Sequence, residues 1–186
     1  MITGMRVCSE LEKQQINNLY TTVNVEELVG QTIFYNGVLD IFPKTLTEAE
    51  SKNIDFLELY KLHEHRYLAL FRDIYQKNGS SIYVRPFTTI NTSNKYLSKK
   101  GIAKDEQKFI RQLSKNENQL LKIEFIEELD VLVKATIREI VLSIFYLEDM
   151  FVIGNYDLSL PVSSLTEETL IFTGNLAKEH GLYLRR

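Results

Sequence analysis

The chain has 186 residues, 44% hydrophobic and 25% charged, with a formal net charge of −3. That length supports one domain with a sizeable core, and the balance is that of a folded chain, not a disordered one. A single cysteine, Cys8, excludes an intramolecular disulfide and any four-cysteine zinc site, and the net negative charge argues against broad nucleic-acid binding.

In chain order, "SELEKQQINNLY" (9–20) reads as a short helix, with Ser9 and Glu12 spaced as a capping box. Asn36-Gly37 lies between Ile33-Phe34-Tyr35 and the run 38–42, the pattern of a two-residue hairpin ending at Pro43. Residues 45–79 carry the clearest helical signal. Phe56, Tyr60, His63, Tyr67 and Phe71 follow one helical face, and Asn78-Gly79 is a stop signal. "SSIYVRPFTTI" (80–90) reads as a strand that Pro86 places at an edge or cuts short, and "NTSNKYLSKKG" (91–101) as a loop.

Residues 104–122 are helical by composition, whereas 123–146 carry both periods. Leu129, Leu132, Ile137 and Ile144 keep a helical phase, while Ile140, Leu142, Ile144 and Tyr146 alternate as a strand. The alternation Tyr156, Leu158, Leu160, Val162 predicts a strand folded back on 140–146 through Leu147-Glu148-Asp149. A helix follows, capped by Ser163 or Ser164, with Glu167 and Glu168 in its first turn and Gly181 at its end; "LYLRR" could add a short strand. Segregated helices and strands predict a single α+β domain over 1–186, a small, mostly antiparallel sheet packed against several helices. Its expected parts are a helix-rich 45–125 segment and a C-terminal hairpin and helix over 138–186.

No uncharged apolar run approaches the roughly 20 residues of a membrane span, and the N-terminal stretch has none long enough for a signal peptide, so a soluble cytoplasmic protein is expected. Charge is unevenly spread. Between residues 26 and 64 there are eight carboxylates against three lysines, and between 95 and 115 seven basic residues against Asp105 and Glu106. Solvated helix faces produce such runs, and so do docking surfaces of complementary charge.

Standard catalytic and cofactor motifs are absent: no glycine-rich phosphate loop, no serine flanked by glycines. In "HEHRY" the two histidines, His63 and His65, are two apart and point away from one another on a helix, which suits a core-edge and a surface histidine better than a metal site. His180, at a helix end, interacts favourably with the dipole when charged. No cofactor and no metal is expected.

The succession "DLSLPVSS…NLAKEHGLYLRR" resembles the C-terminal ends of small uncharacterised bacterial proteins, some of them immunity proteins encoded beside toxins. The resemblance implies a binding protein that neutralises a toxin or regulates a partner, and it transfers no site residue. Acidic residues and tyrosines suit such capture of a basic partner, and the candidate surface is Glu26, Glu27, Glu48, Glu50, Asp55, Glu58, Glu148, Asp149, Tyr156 and Asp157. Two alternatives stay open: an enzyme with a cleft of scattered residues, His63, Tyr156 and Asp157 among them, and a nucleic-acid-associated factor using 95–115.

Overall fold

The most apolar stretch of the chain forms the middle of the molecule. In the computed structural model, which describes residues 5–20, 34–52, 54–77, 79, 81–155 and 158–186, three strands run there as an antiparallel meander: β5 (Val141–Tyr146), β6 (Met150–Ile153) and β7 (Leu160–Ser164). The turn at Leu147-Glu148-Asp149 lies where the sequence places it, closed by a 2.8 Å bond from the Leu147 N–H to the Met150 carbonyl. The strand that returns along β5 is β6, with the Gly154 N–H still reaching the Ser143 carbonyl at 2.7 Å; the expected 156–162 partner starts instead at Leu160, as β7, and pairs with β6 and not with 140–146. Every residue of β5 and β6 is buried, as expected of strands covered on both faces.

Five more strands extend the meander. β3 (Ile82–Thr89) pairs with β5, β4 (Leu121–Ile123) with β3, and β1 (Arg6–Val7) with β4. On the other side β2 (Tyr35–Asp40) pairs with β7, and β8 (Tyr183–Arg185) with β2. The order is β1-β4-β3-β5-β6-β7-β2-β8, antiparallel throughout, so the fold is α+β as expected.

Helices divide unequally between the two faces. α3 (Phe56–Lys77), α4 (Asn94–Lys99), α5 (Lys104–Lys115), α6 (Ile126–Ile137) and α7 (Glu167–Glu179) enclose the main core, in which Tyr67, Phe71, Leu97, Ile110, Leu132 and Leu170 pack on Val84, Phe145, Val152 and Leu160. The second face carries a smaller cluster of Cys8, Phe34, Ile144, Tyr146, Phe151 and Ile153, joined by Ile16 of α1 (Glu10–Tyr20). Phe34 meets Phe151 edge-on at 5.5 Å. α2 (Glu48–Ser51) is a single turn with no buried residue.

Several local expectations are corrected. Asn36-Gly37 is not a hairpin turn but part of β2. A Cβ on Gly37 would lie 3.0 Å from the Arg185 carbonyl oxygen, so this glycine permits close approach of β8. The 45–79 helix is two, α2 and α3, with Asp55 starting the second by accepting from the Glu58 N–H. Residues 91–101 are not a loop: Ser93 caps α4 by accepting from the Tyr96 N–H, and Gly101 closes it at φ 73°. Pro86 sits inside β3 and not on an edge strand. β4 pairs only with Ile82–Val84, and the register on the β5 side shifts just beyond Pro86, so no ladder bond is lost there. The cap of α7 is Thr166, while Ser163 and Ser164 belong to β7.

The ambiguous 123–146 stretch holds both elements. α6 ends at Ile137, and the chain turns through Glu139 at φ 54° before β5. The Ile140 N–H then reaches back to the Ala135 carbonyl at 2.8 Å and the Glu139 N–H to Thr136 at 3.0 Å, the paired bonds of a Schellman motif.

Candidate functional site

The acidic candidates do not converge. Glu50 closes a capping box with Thr47 and pairs with Lys44 at 2.6 Å; Lys44 first, and then the Thr47 N–H, hold its carboxyl down at about 2. Glu48 pairs with Lys52 at 2.8 Å and Glu58 with Lys61 at 2.7 Å. These carboxylates therefore sit beside local lysines, which weakens any acidic field they project. They follow Asp40, at the end of β2 opposite Tyr35. Glu148 and Asp149 lie at the other end, next to Met150, whose cross-strand partner Ser164 also faces Tyr35. Glu26, Glu27, Tyr156 and Asp157 lie outside the described residues.

His63 is half-buried, its imidazole pulled below the ordinary value by burial first and by the nearby Arg66 and His65 second, while His65 is exposed. Among the described residues, no group of three or more His, Cys, Asp or Glu is placed to hold a metal ion. In the basic 95–115 segment Phe109 is buried and Tyr96 packs against the core, so neither ring is presented for stacking on a base. Cys8 is buried too, and burial first, then the Glu12 carboxylate, push its thiol up to about 11, which keeps it protonated and unreactive at neutral pH.

What the fold does bring together is a cleft on the second face of the sheet. α1 lies over this face, held at its start by Arg6, which donates two hydrogen bonds to Glu12 at 2.6 and 2.8 Å. Between α1 and the ends of β3 and β5 is an open space of about 660 Å³. Gln15, Ile16 and Asn18 line it from α1, Ser81 and Tyr83 from β3 and its approach, and Tyr146, Leu147 and Glu148 from β5 and its turn. Tyr83 and Tyr146 are direct cross-strand partners, so their rings share one face. The Arg85 guanidinium lies 5.6 Å from the Tyr146 ring centre and the Lys122 ammonium 6.0 Å from that of Tyr83.

Both phenols titrate above their ordinary value. Burial raises Tyr146, and burial followed by the Glu12 carboxylate raises Tyr83. At neutral pH they are hydroxyl donors on flat apolar rings, not bases or nucleophiles. The cleft therefore offers contact area and hydrogen bonds with one carboxylate, Glu148, at its mouth.

No family model matches the chain, and no characterised protein and no solved structure matches it either. Function has to be read from the cleft itself.

Of the residues that meet there, only Glu148 was among the sequence candidates. Tyr83, Tyr146, Gln15 and Asn18 were missed. The alternation in β5 marks Tyr146 as facing one side of a sheet, but its meeting with Tyr83 depends on strand order, which no local pattern carries.

Proposed function

We propose that this is a non-catalytic binding protein of the immunity or antitoxin type, a bacterial cytoplasmic protein that captures a basic partner protein. The observation that carries this reading is the meeting of Tyr83 and Tyr146 with Glu148 in one open cleft beside α1. Tyrosines provide large contact area at low entropic cost, and a carboxylate at the rim suits a basic partner. The phenols, held protonated, bind by donating and take no proton from a substrate.

The test mixes the purified protein with a panel of basic toxin nuclease domains and reads residual nuclease activity against molar ratio. The reading predicts stoichiometric neutralisation of one of them. The exposed Glu148→Lys and the rim substitution Tyr83→Phe should weaken it, the first by about tenfold or more. Turnover of nucleotide, ester or phosphoester substrates that disappears on substitution in the cleft, with no complex formed, would contradict it.

A further inference from the structure

The seven basic residues between 95 and 115 fall on or beside two packed helices, α4 and α5, on the face of the sheet opposite the tyrosine cleft. Side-chain bonds fix how these helices lie. Arg111 donates to Asn94 Oδ1 at 2.7 Å, and the Gln107 amide donates to the Ser98 hydroxyl at 3.3 Å. The start of α4 thus meets the later part of α5, and its end meets the earlier part, so the two run antiparallel with 94 and 98 against 107 and 111.

On antiparallel helices, residues one place before such contacts turn to one side of the pair, and residues one place after turn to the other. Those before, Leu97 and Ile110, are fully buried in the core. Those after, Lys95, Lys99 and Lys108, therefore share the outer side, and all three are exposed. Lys104, Lys108, Arg111 and Lys115 follow the three-to-four spacing of one helical stripe, about 16 Å long.

Among the described residues, none of Lys95, Lys99, Lys104, Lys108, Arg111 and Lys115 enters an ion pair. Exposed lysines elsewhere, such as Lys52 and Lys61, sit beside carboxylates. Glu106 is drawn off by Lys134 of α6 at 2.5 Å, which leaves Asp105 as the exposed carboxylate of the two helices. Lys100 turns away from the patch, toward the rings of Tyr60 and Tyr96 at 5.6 and 5.8 Å. Like charges at helical spacing repel, so the stripe works against the helix that carries it until an anion lies across it.

The chemistry of the surface selects among anions. No large apolar side chain of α4 or α5 is exposed, and the apolar face of α5, with Phe109, Ile110 and Leu113, is taken up by the core. Insertion into a lipid surface needs an exposed apolar face, a tight protein interface needs apolar or aromatic anchors, and a single strand needs rings for its bases. A duplex turns closely spaced phosphates outward and asks only for fixed cations.

We infer that the outer side of α4 and α5 binds the phosphate backbone of double-stranded nucleic acid. The patch and the cleft lie on opposite faces of the sheet, so duplex binding and partner capture are separate properties of the molecule.

Fluorescence anisotropy of the full chain with a labelled DNA duplex of about 20 base pairs tests the inference. Binding is expected at micromolar protein in about 50 mM salt, with a slope of log affinity on log salt of about −4 to −5, as for about five phosphates. Lys99→Glu combined with Lys108→Glu should weaken binding by about tenfold or more and cut the slope by about 2. Its thermal midpoint should be unchanged, because both side chains are exposed and unpaired. Lys52→Glu combined with Lys178→Glu makes the same change in net charge elsewhere and should leave the affinity within about twofold. No duplex binding at about 100 μM protein, or a Lys99→Glu/Lys108→Glu protein that binds like the parent, would overturn the inference. So would a single strand of equal length, polyglutamate of matched charge or phosphatidylserine vesicles binding as tightly as the duplex.

Discussion

Glu64 and Arg138 form the most enclosed ion pair whose geometry matches a two-pronged fork. The guanidinium donates at 2.6 and 2.8 Å to the two carboxylate oxygens, and a further N–H reaches the Lys100 carbonyl at 2.7 Å. Glu64 is only 8% exposed, so the pair ties α3 to the α6–β5 turn in a site with little water. Removing one partner strands the other, which costs more than the pair contributes while intact. Arg138→Ala is expected to lower unfolding stability by about 3 kcal/mol in a urea titration, with much of the loss recovered when Glu64→Leu is added. A loss below about 1 kcal/mol would show that water reaches Glu64. The Arg6–Glu12 pair makes a pH prediction. Arg6 first, and then the Ser9 N–H, hold the Glu12 carboxyl at about 2, below its ordinary 4.5. A carboxyl lowered by folding stabilises the fold at pH above its unfolded value, and that contribution is lost as pH falls through the folded one. The clamp between β1 and α1 should therefore loosen from about 4.5 down to about 2. A carboxyl-carbon NMR titration should place the Glu12 midpoint near the lower figure and return it toward the ordinary value in Arg6→Ala.

At the scale of elements, three helices end in the same way, and one uses the wrong residue for it. α4, α6 and α7 each close with the 6→1 bond of a Schellman motif: Ile102 to Leu97 at 3.0 Å, Ile140 to Ala135 at 2.8 Å, Leu182 to Ala177 at 2.8 Å. The left-handed position is glycine in two of them, Gly101 and Gly181, but Glu139 in α6. A residue with a Cβ costs about 1 kcal/mol or more in that conformation. Glu139→Gly is accordingly expected to raise stability by about 0.5–1 kcal/mol, and a destabilised variant in urea unfolding would show that the Glu139 side chain matters more than its backbone strain. The same comparison explains what could be seen in the sequence. The α7 stop was legible because Gly181 marks it. The α6 stop was not, because no glycine or proline stands between helix and strand and both periodicities run through the join. Asn36-Gly37 misled in the opposite sense: its glycine answers to the approach of Arg185 and Leu184, contacts made by the far end of the chain. The 147–149 turn was legible because buried runs flank it, whereas the cleft was not, since α1, β3 and β5 meet only through strand order.

At the scale of the whole molecule, the sheet separates its tasks. Five helices and the main core occupy one face, while α1 covers part of the other and leaves the tyrosine cleft beside it. Among the described residues the outermost strands, β1 and β8, have two and three residues, too short to template a partner strand along their length. Among the described residues no helix is long and apolar enough to cross a membrane. A partner protein is therefore expected on a side-chain surface and not through strand addition. Hydrogen–deuterium exchange on the complex with a neutralised basic nuclease domain tests that account most directly. Protection is predicted for amides in 10–18, 81–83 and 146–148, the borders of the cleft. Protection confined to 94–115 or to 167–186, with the cleft exchanging as in the free protein, would contradict it.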